Sequence, residues 1–170
     1  MESCLGCGAL FPPQDGVTHA YMASSPACFA AFNQILAAEY SSALLMGVHR
    51  FTVDTWAVQH PGDPSDRRAV QSVGLHLARL CLQLACPISP AETNAAMLDF
   101  ARHKKTLEPL APPRAFRMTA ADVAPFAGTQ QHAQKVRTWA QLTWEDWAEH
   151  HGYIRAWLSR HCAHWADLQQ

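Results

Sequence analysis

The chain has 170 residues, 49% of them hydrophobic and 16% charged, which excludes a disordered or highly solvated polypeptide and suits one domain, 1–170, with a real core. Its 13 Lys and Arg against 14 Asp and Glu leave a formal net charge of −1, without the basic excess of a nucleic-acid binder. No apolar run reaches the ~20 residues of a membrane span, and the opening, with Glu2, Cys4 and Cys7, lacks the basic start of a secretory signal, so cytoplasmic residence is expected.

Glycines and prolines from Gly6 to Pro26 break any long helix, which makes residues 1–27 an irregular lobe. A helix follows, capped by Ser24 or Ser25 with Pro26 in its first turn and an apolar face of Phe29, Phe32, Ile35 and Leu36. A second helix is expected over 43–59, stopped by His60-Pro61-Gly62. A third begins near Ser65, carries the stripe Val70, Val73, Leu77, Leu80 and Leu84, and ends at Pro87. Ser89, Pro90 and Glu92 repeat the capping pattern before a fourth. Beyond the connector "LEPLAPPRAF", Thr119 caps a short helix, and a long one runs from about Thr129 to His164, broken near Gly152. No strand is expected beyond a short extended piece in "RAFRMT". The sequence reads as an all-α bundle of five to six helices over 28–170, preceded by a metal-binding lobe over 1–27.

Cys4-x2-Cys7 within an intracellular chain points to a metal ion more than to a disulfide. Zinc takes four thiolate or imidazole donors, and Gly6 and Gly8 allow the tight turn that aims two sulfurs at one ion. Cys28 is the candidate third ligand, because the start of a helix lowers a thiol pKa. His19 is the nearest imidazole and the candidate fourth, with a helix-borne histidine as its competitor. A thioredoxin-like reading fails, since no βαβ pattern surrounds the pair.

Four histidines fall on or beside apolar helical faces: His49 and His60 with Val53 and Trp56 between them, His76, and His151 on the arc of Trp144, Trp147, Ile154 and Leu158. With Asp54 they form a candidate pocket of the kind helical bundles build between their helices. Trp139 and Trp157 are the tryptophans singled out as partner-facing.

Three stretches, "CLGCGALFPPQDGVTHAYMASSPAC", "VHRFTVDTWAVQHPGDPSDRRAVQSVGLHLARLCL" and "VRTWAQLTWEDWAEHHGYIRAWL", together resemble a bacterial domain family of unknown function. Its short chains carry CxxCG, DGxTHxYMxSSPxC, TVDxYxxQHPG and QSVxxHLxxLC. The resemblance implies no activity, but it places Cys4, Cys7, His19, Cys28, His49, Asp54, Gln59, His60, Gln71, His76, His150 and His151 within the motifs. Trp56 stands where similar chains have tyrosine.

Two functions are expected to compete. One is a zinc-binding helical protein whose histidine-lined pocket acts as a metal-dependent enzyme or binds a small molecule. The other is a non-catalytic zinc-stabilised interaction or redox-switch module. Neither the partner nor the oligomeric state is legible.

Overall fold

In the computed structural model, which describes residues 1–166, the lobe opens with a minimal antiparallel ribbon. Strands β1 (Glu2–Ser3) and β2 (Leu10–Phe11) pair Glu2 with Phe11 and Ser3 with Leu10. The turn between them carries Cys4 and Cys7. Gly8 takes φ +74°, a left-handed conformation that costs glycine little, and its N–H closes onto the Cys4 carbonyl at 3.0 Å.

Six helices of eleven residues or more follow among the described residues, with two single-turn helices. The first is α1 (Pro26–Tyr40), where the Ser25 hydroxyl accepts from the Cys28 N–H and Pro26 opens the first turn. Next comes α2 (His49–Gln59), shorter than the expected 43–59. Residues Leu45–Gly47 tighten into a 3-10 turn around a glycine of poor helix propensity. Then α3 (Arg67–Ala85) is capped by Asp66, which accepts the Arg68 N–H. The capping box of α4 (Pro90–His103) is complete: Ser89 accepts the Glu92 N–H and Glu92 accepts the Ser89 N–H. In α5 (Ala120–Val123) the Asp122 carboxylate accepts from the Thr119 N–H and hydroxyl.

The expected long last helix is three: α6 (His132–Asp146), α7 (His151–His161) and α8 (Ala163–Ala166). The break falls at Trp147–His150, not at Gly152. Trp147 caps α6 and buries its ring completely in the core, turning the chain there. A Cβ at Gly152 would meet nothing within 4 Å, so that glycine answers no steric need and stays helical.

Two apolar clusters form the interior. One gathers Leu77, Leu80, Phe100, Ile154 and Leu158 from α3, α4 and α7, with Trp147 from the break between α6 and α7. The other packs Ile35, Phe32 and Trp56 of α1 and α2 with Val123 of α5, Trp139 of α6 and the three lobe-side cysteines. Trp139 and Trp157 are buried at 0% and 3% exposure, so neither faces a partner. No helix is long and apolar enough to cross a membrane among the described residues.

Candidate metal centre

The fold gathers four donor side chains from three separate segments. Cys4 and Cys7 come from the β1–β2 turn, Cys28 from the first turn of α1, and His60 from the residue that ends α2. Their donor atoms all lie within 4.8 Å of one another, and the side chains are buried at 0–5% exposure. Cys28 Sγ is 3.2 Å from His60 Nε2 and 3.8 Å from Cys7 Sγ.

Each donor has a local reason to be there. Pro61 pushes His60 out of helical geometry, so α2 stops with that imidazole at its tip. His60 Nδ1 donates to the Trp56 carbonyl at 2.6 Å, which fixes the ring with Nε2 aimed at Cys28. An outer hydrogen bond of this kind fixes the tautomer of a metal-ligating histidine. The Trp56 indole stacks on the same ring at 4.1 Å. The Ser25 N–H donates to Cys4 Sγ at 3.4 Å.

Gly6 is what lets the turn meet the end of α2. A Cβ there would lie 2.3 Å from the Ala23 oxygen, 2.8 Å from His60 Cδ2 and 2.9 Å from the Gln59 oxygen, all too close. Gln59 then anchors this end of α2, its amide donating to the Met118 carbonyl at 2.8 Å and to the Thr143 hydroxyl at 2.7 Å.

The three thiols push one another in opposite directions. Hydrogen bonds from Cys28 and then Cys7 hold Cys4 well below the ordinary thiol range. The bond to Cys4, then that to Cys7, and burial push Cys28 well above it. Cys7 is pulled down by Cys28, but the opposing bond to Cys4 and burial carry it up to about 12. These directions come from one mutually hydrogen-bonded trio of thiols, in which Cys4 is the sulfur that its neighbours serve.

His19 is not one of the four. Its ring packs edge-on against Tyr21 at 4.6 Å, and Nδ1 accepts the Tyr21 N–H at 3.5 Å. Burial, then the nearby His60 and His76, lower its pKa. It follows an exposed, irregular run from Pro12 to Thr18, and the corner it was expected to fill is occupied by His60.

The other candidate pocket residues do not converge. His49, with 2% exposure, donates Nδ1–H to Glu39 at 2.7 Å, and Tyr40 lies 3.3 Å from its Nε2. The fully buried Glu39 also takes the Thr52 hydroxyl and, at 3.2 Å, His132 Nε2. His132 Nδ1 accepts the Gly128 N–H, so its proton is on Nε2. His151 stacks on Trp144 at 3.8 Å and bonds its carbonyl.

Asp54 and His76 do meet, at 2.6 Å, but within an ion-pair network in which Arg79 and Gln83 also donate to the carboxylate. Burial alone would raise the Asp54 pKa, yet Arg79 and His76 outweigh it and hold the group below its ordinary value. Sequence reasoning missed Glu39, His132, Arg79 and Gln83. The one available signal was a glutamate four residues after Ile35, on a face that is otherwise apolar.

The sequence model of a family of unknown function, DUF5946, matches residues 2–148. The chain belongs to that family. The match takes in all four donors and every helix from α1 to α6, which agrees with the family of unknown function expected from the motifs. No curated protein and no solved structure matches the chain.

Proposed function

We propose that Cys4, Cys7, Cys28 and His60 hold one zinc ion, and that this ion is a structural staple joining the 1–27 lobe to α1 and α2 within one domain, 1–170. The observation that carries the reading is the closed, buried set of four donors. An ideal zinc tetrahedron, with bonds of ~2.3 Å to sulfur and ~2.0 Å to nitrogen, has edges of roughly 3.8 Å between sulfurs and roughly 3.5 Å between sulfur and nitrogen. The separations of 3.8 Å and 3.2 Å fit that frame with a small adjustment at His60.

Three cysteines and one histidine fill all four positions, and catalytic zinc sites keep one for water or substrate. The staple is therefore favoured over a metal-dependent enzyme. Sulfurs this deeply buried are also poorly placed to meet an oxidant, which favours the staple over a redox switch. A reducing, cytoplasmic setting belongs to the same reading, with Cys4, Cys7 and Cys28 buried and outside any disulfide.

Elemental analysis of protein purified without a histidine tag tests it: one zinc per chain is expected. His60→Ala should lose the ion and His19→Ala should keep it. A folded wild-type protein that carries no zinc, and takes none up from solution, sinks the proposal. Loss in His19→Ala with retention in His60→Ala would reassign the fourth corner.

A further inference from the structure

Near the N-terminal end of α2, opposite the end that carries His60, α2 and α6 bring two arginines to one cleft of about 150 Å³. Arg50 and Arg137 line it together with Met46, Phe51, Gln83 and Ile88, and none of the lining residues is acidic. Four other arginines have carboxylate partners: Arg68 with Asp66, Arg79 with Asp54, Arg102 with Asp99, and Arg117 with Glu145 and Asp146, while Arg67 donates to the Leu107 and Lys105 carbonyls.

Arg50, half-buried, has no hydrogen-bond or carboxylate partner among the described residues, and Arg137 has only the Phe51 ring, 5.5 Å below its guanidinium. Two like charges held at one cleft repel each other, and an anion placed between them relieves that cost. The planar fork of arginine suits a carboxylate or a phosphate, which it can grip with two parallel hydrogen bonds.

The rest of the wall sets apolar side chains beside the polar Gln83 and Thr93. Met46, Phe51 and Ile88 offer a surface for a hydrocarbon or aromatic body. Gln83 is held in place by its 2.6 Å hydrogen bond to Asp54, so this wall is pre-formed. A second cleft shares Phe51, Gln83 and Arg137, which gives a longer ligand room to continue.

We infer that this cleft binds a small organic anion, a carboxylate or phosphate monoester with an apolar or aromatic body, whose charged head is gripped by Arg50 and Arg137. The site shares no residue with the metal centre and stands independently of it.

Titration of the full chain with phenyl phosphate, benzoate, inorganic phosphate and benzyl alcohol, followed by calorimetry and amide NMR shifts, tests this. Phenyl phosphate or benzoate should bind at least about tenfold more tightly than benzyl alcohol and inorganic phosphate, and their order identifies the preferred head. Arg50→Gln and Arg137→Gln should each weaken binding about tenfold or more, with unfolding temperatures near that of the wild type. Arg155→Gln, an exposed change on α7, should leave it unaltered. Equal binding of benzyl alcohol, equal binding of inorganic phosphate, or an equal loss in Arg155→Gln overturns the inference.

Discussion

Residues 1–27 contain two strands of two residues each and an exposed run from Pro12 to Thr18, whereas α3, α4 and α7 close over Leu80, Phe100 and Leu158, none of which is exposed at all. The two regions offset chain entropy by different means. The lobe has little apolar surface to bury, and its inward-facing groups are chiefly Cys4, Cys7, Ala9 and Met22. On the proposed reading its order is drawn from ligand bonds, together with hydrogen bonds such as that of the Cys4 N–H to the Ala9 carbonyl, 2.8 Å long. The helices beyond it have their own caps and a continuous apolar interior. An ion can thus be essential to one region and almost irrelevant to the other.

Chelation is the strongest way to break that contrast. Structural zinc contributes about 10–16 kcal/mol of apparent binding free energy in small domains, so its removal should cancel the lobe's order outright. Amide hydrogen exchange should then show protection lost across 4–28 and at His60, with α3, α4 and α7 still protected. Simultaneous loss in both regions would mean that they form one cooperative unit. Phe100→Ala is the mirror experiment. It empties a buried site beside Trp157, whose ring lies edge-on at 6.0 Å, and should cost about 3–5 kcal/mol in denaturant unfolding with zinc content unchanged.

Asp54→Ala strikes the seam between α2 and α3. It leaves Arg79 buried without its carboxylate, at a cost of about 3–5 kcal/mol. Because the native pKa of Asp54 is lowered, its contribution is fully present above the ordinary value of 3.8 and fades as pH falls through the native one. The wild type should therefore lose stability in acid with a steeper slope than Asp54→Asn, as pH-dependent urea midpoints would reveal. The smallest effect is expected from Ser89→Ala, about 1 kcal/mol from the capping box of α4, with the lobe untouched.

The helices were legible where punctuation is local. Ser24 or Ser25 with Pro26, Ser89-Pro90 with Glu92, and Thr119 each state a helix start locally, and all three starts stand in the structure, with Ser25 as the first cap and Asp122 completing the third. The end of α6 was not legible, because it depends on where the Trp147 ring finds its core rather than on a breaker residue. The same division runs through the candidate site. Cys4 and Cys7 declare themselves by spacing, and Cys28 by its place at a helix start. The fourth corner lies 32 residues beyond Cys28, and only the pairing of α1 with α2 brings His60 to it. Glu39 and His132 are 93 residues apart, and a network closed over such a distance leaves no local pattern to read.

That 32-residue gap also has a consequence in time. Synthesis proceeds from the N-terminus, so the three thiols exist before the imidazole does, and a closed site requires that α2 has been made and has turned back on α1. Gly6 makes the order stricter, since the turn it belongs to rests against the last carbonyl of α2 and has nothing to close upon until that helix ends. Completion of the ion's coordination thus reports that the first helical hairpin has formed. A stalled chain ending before Gln59 would keep its thiols but not the docking edge they need.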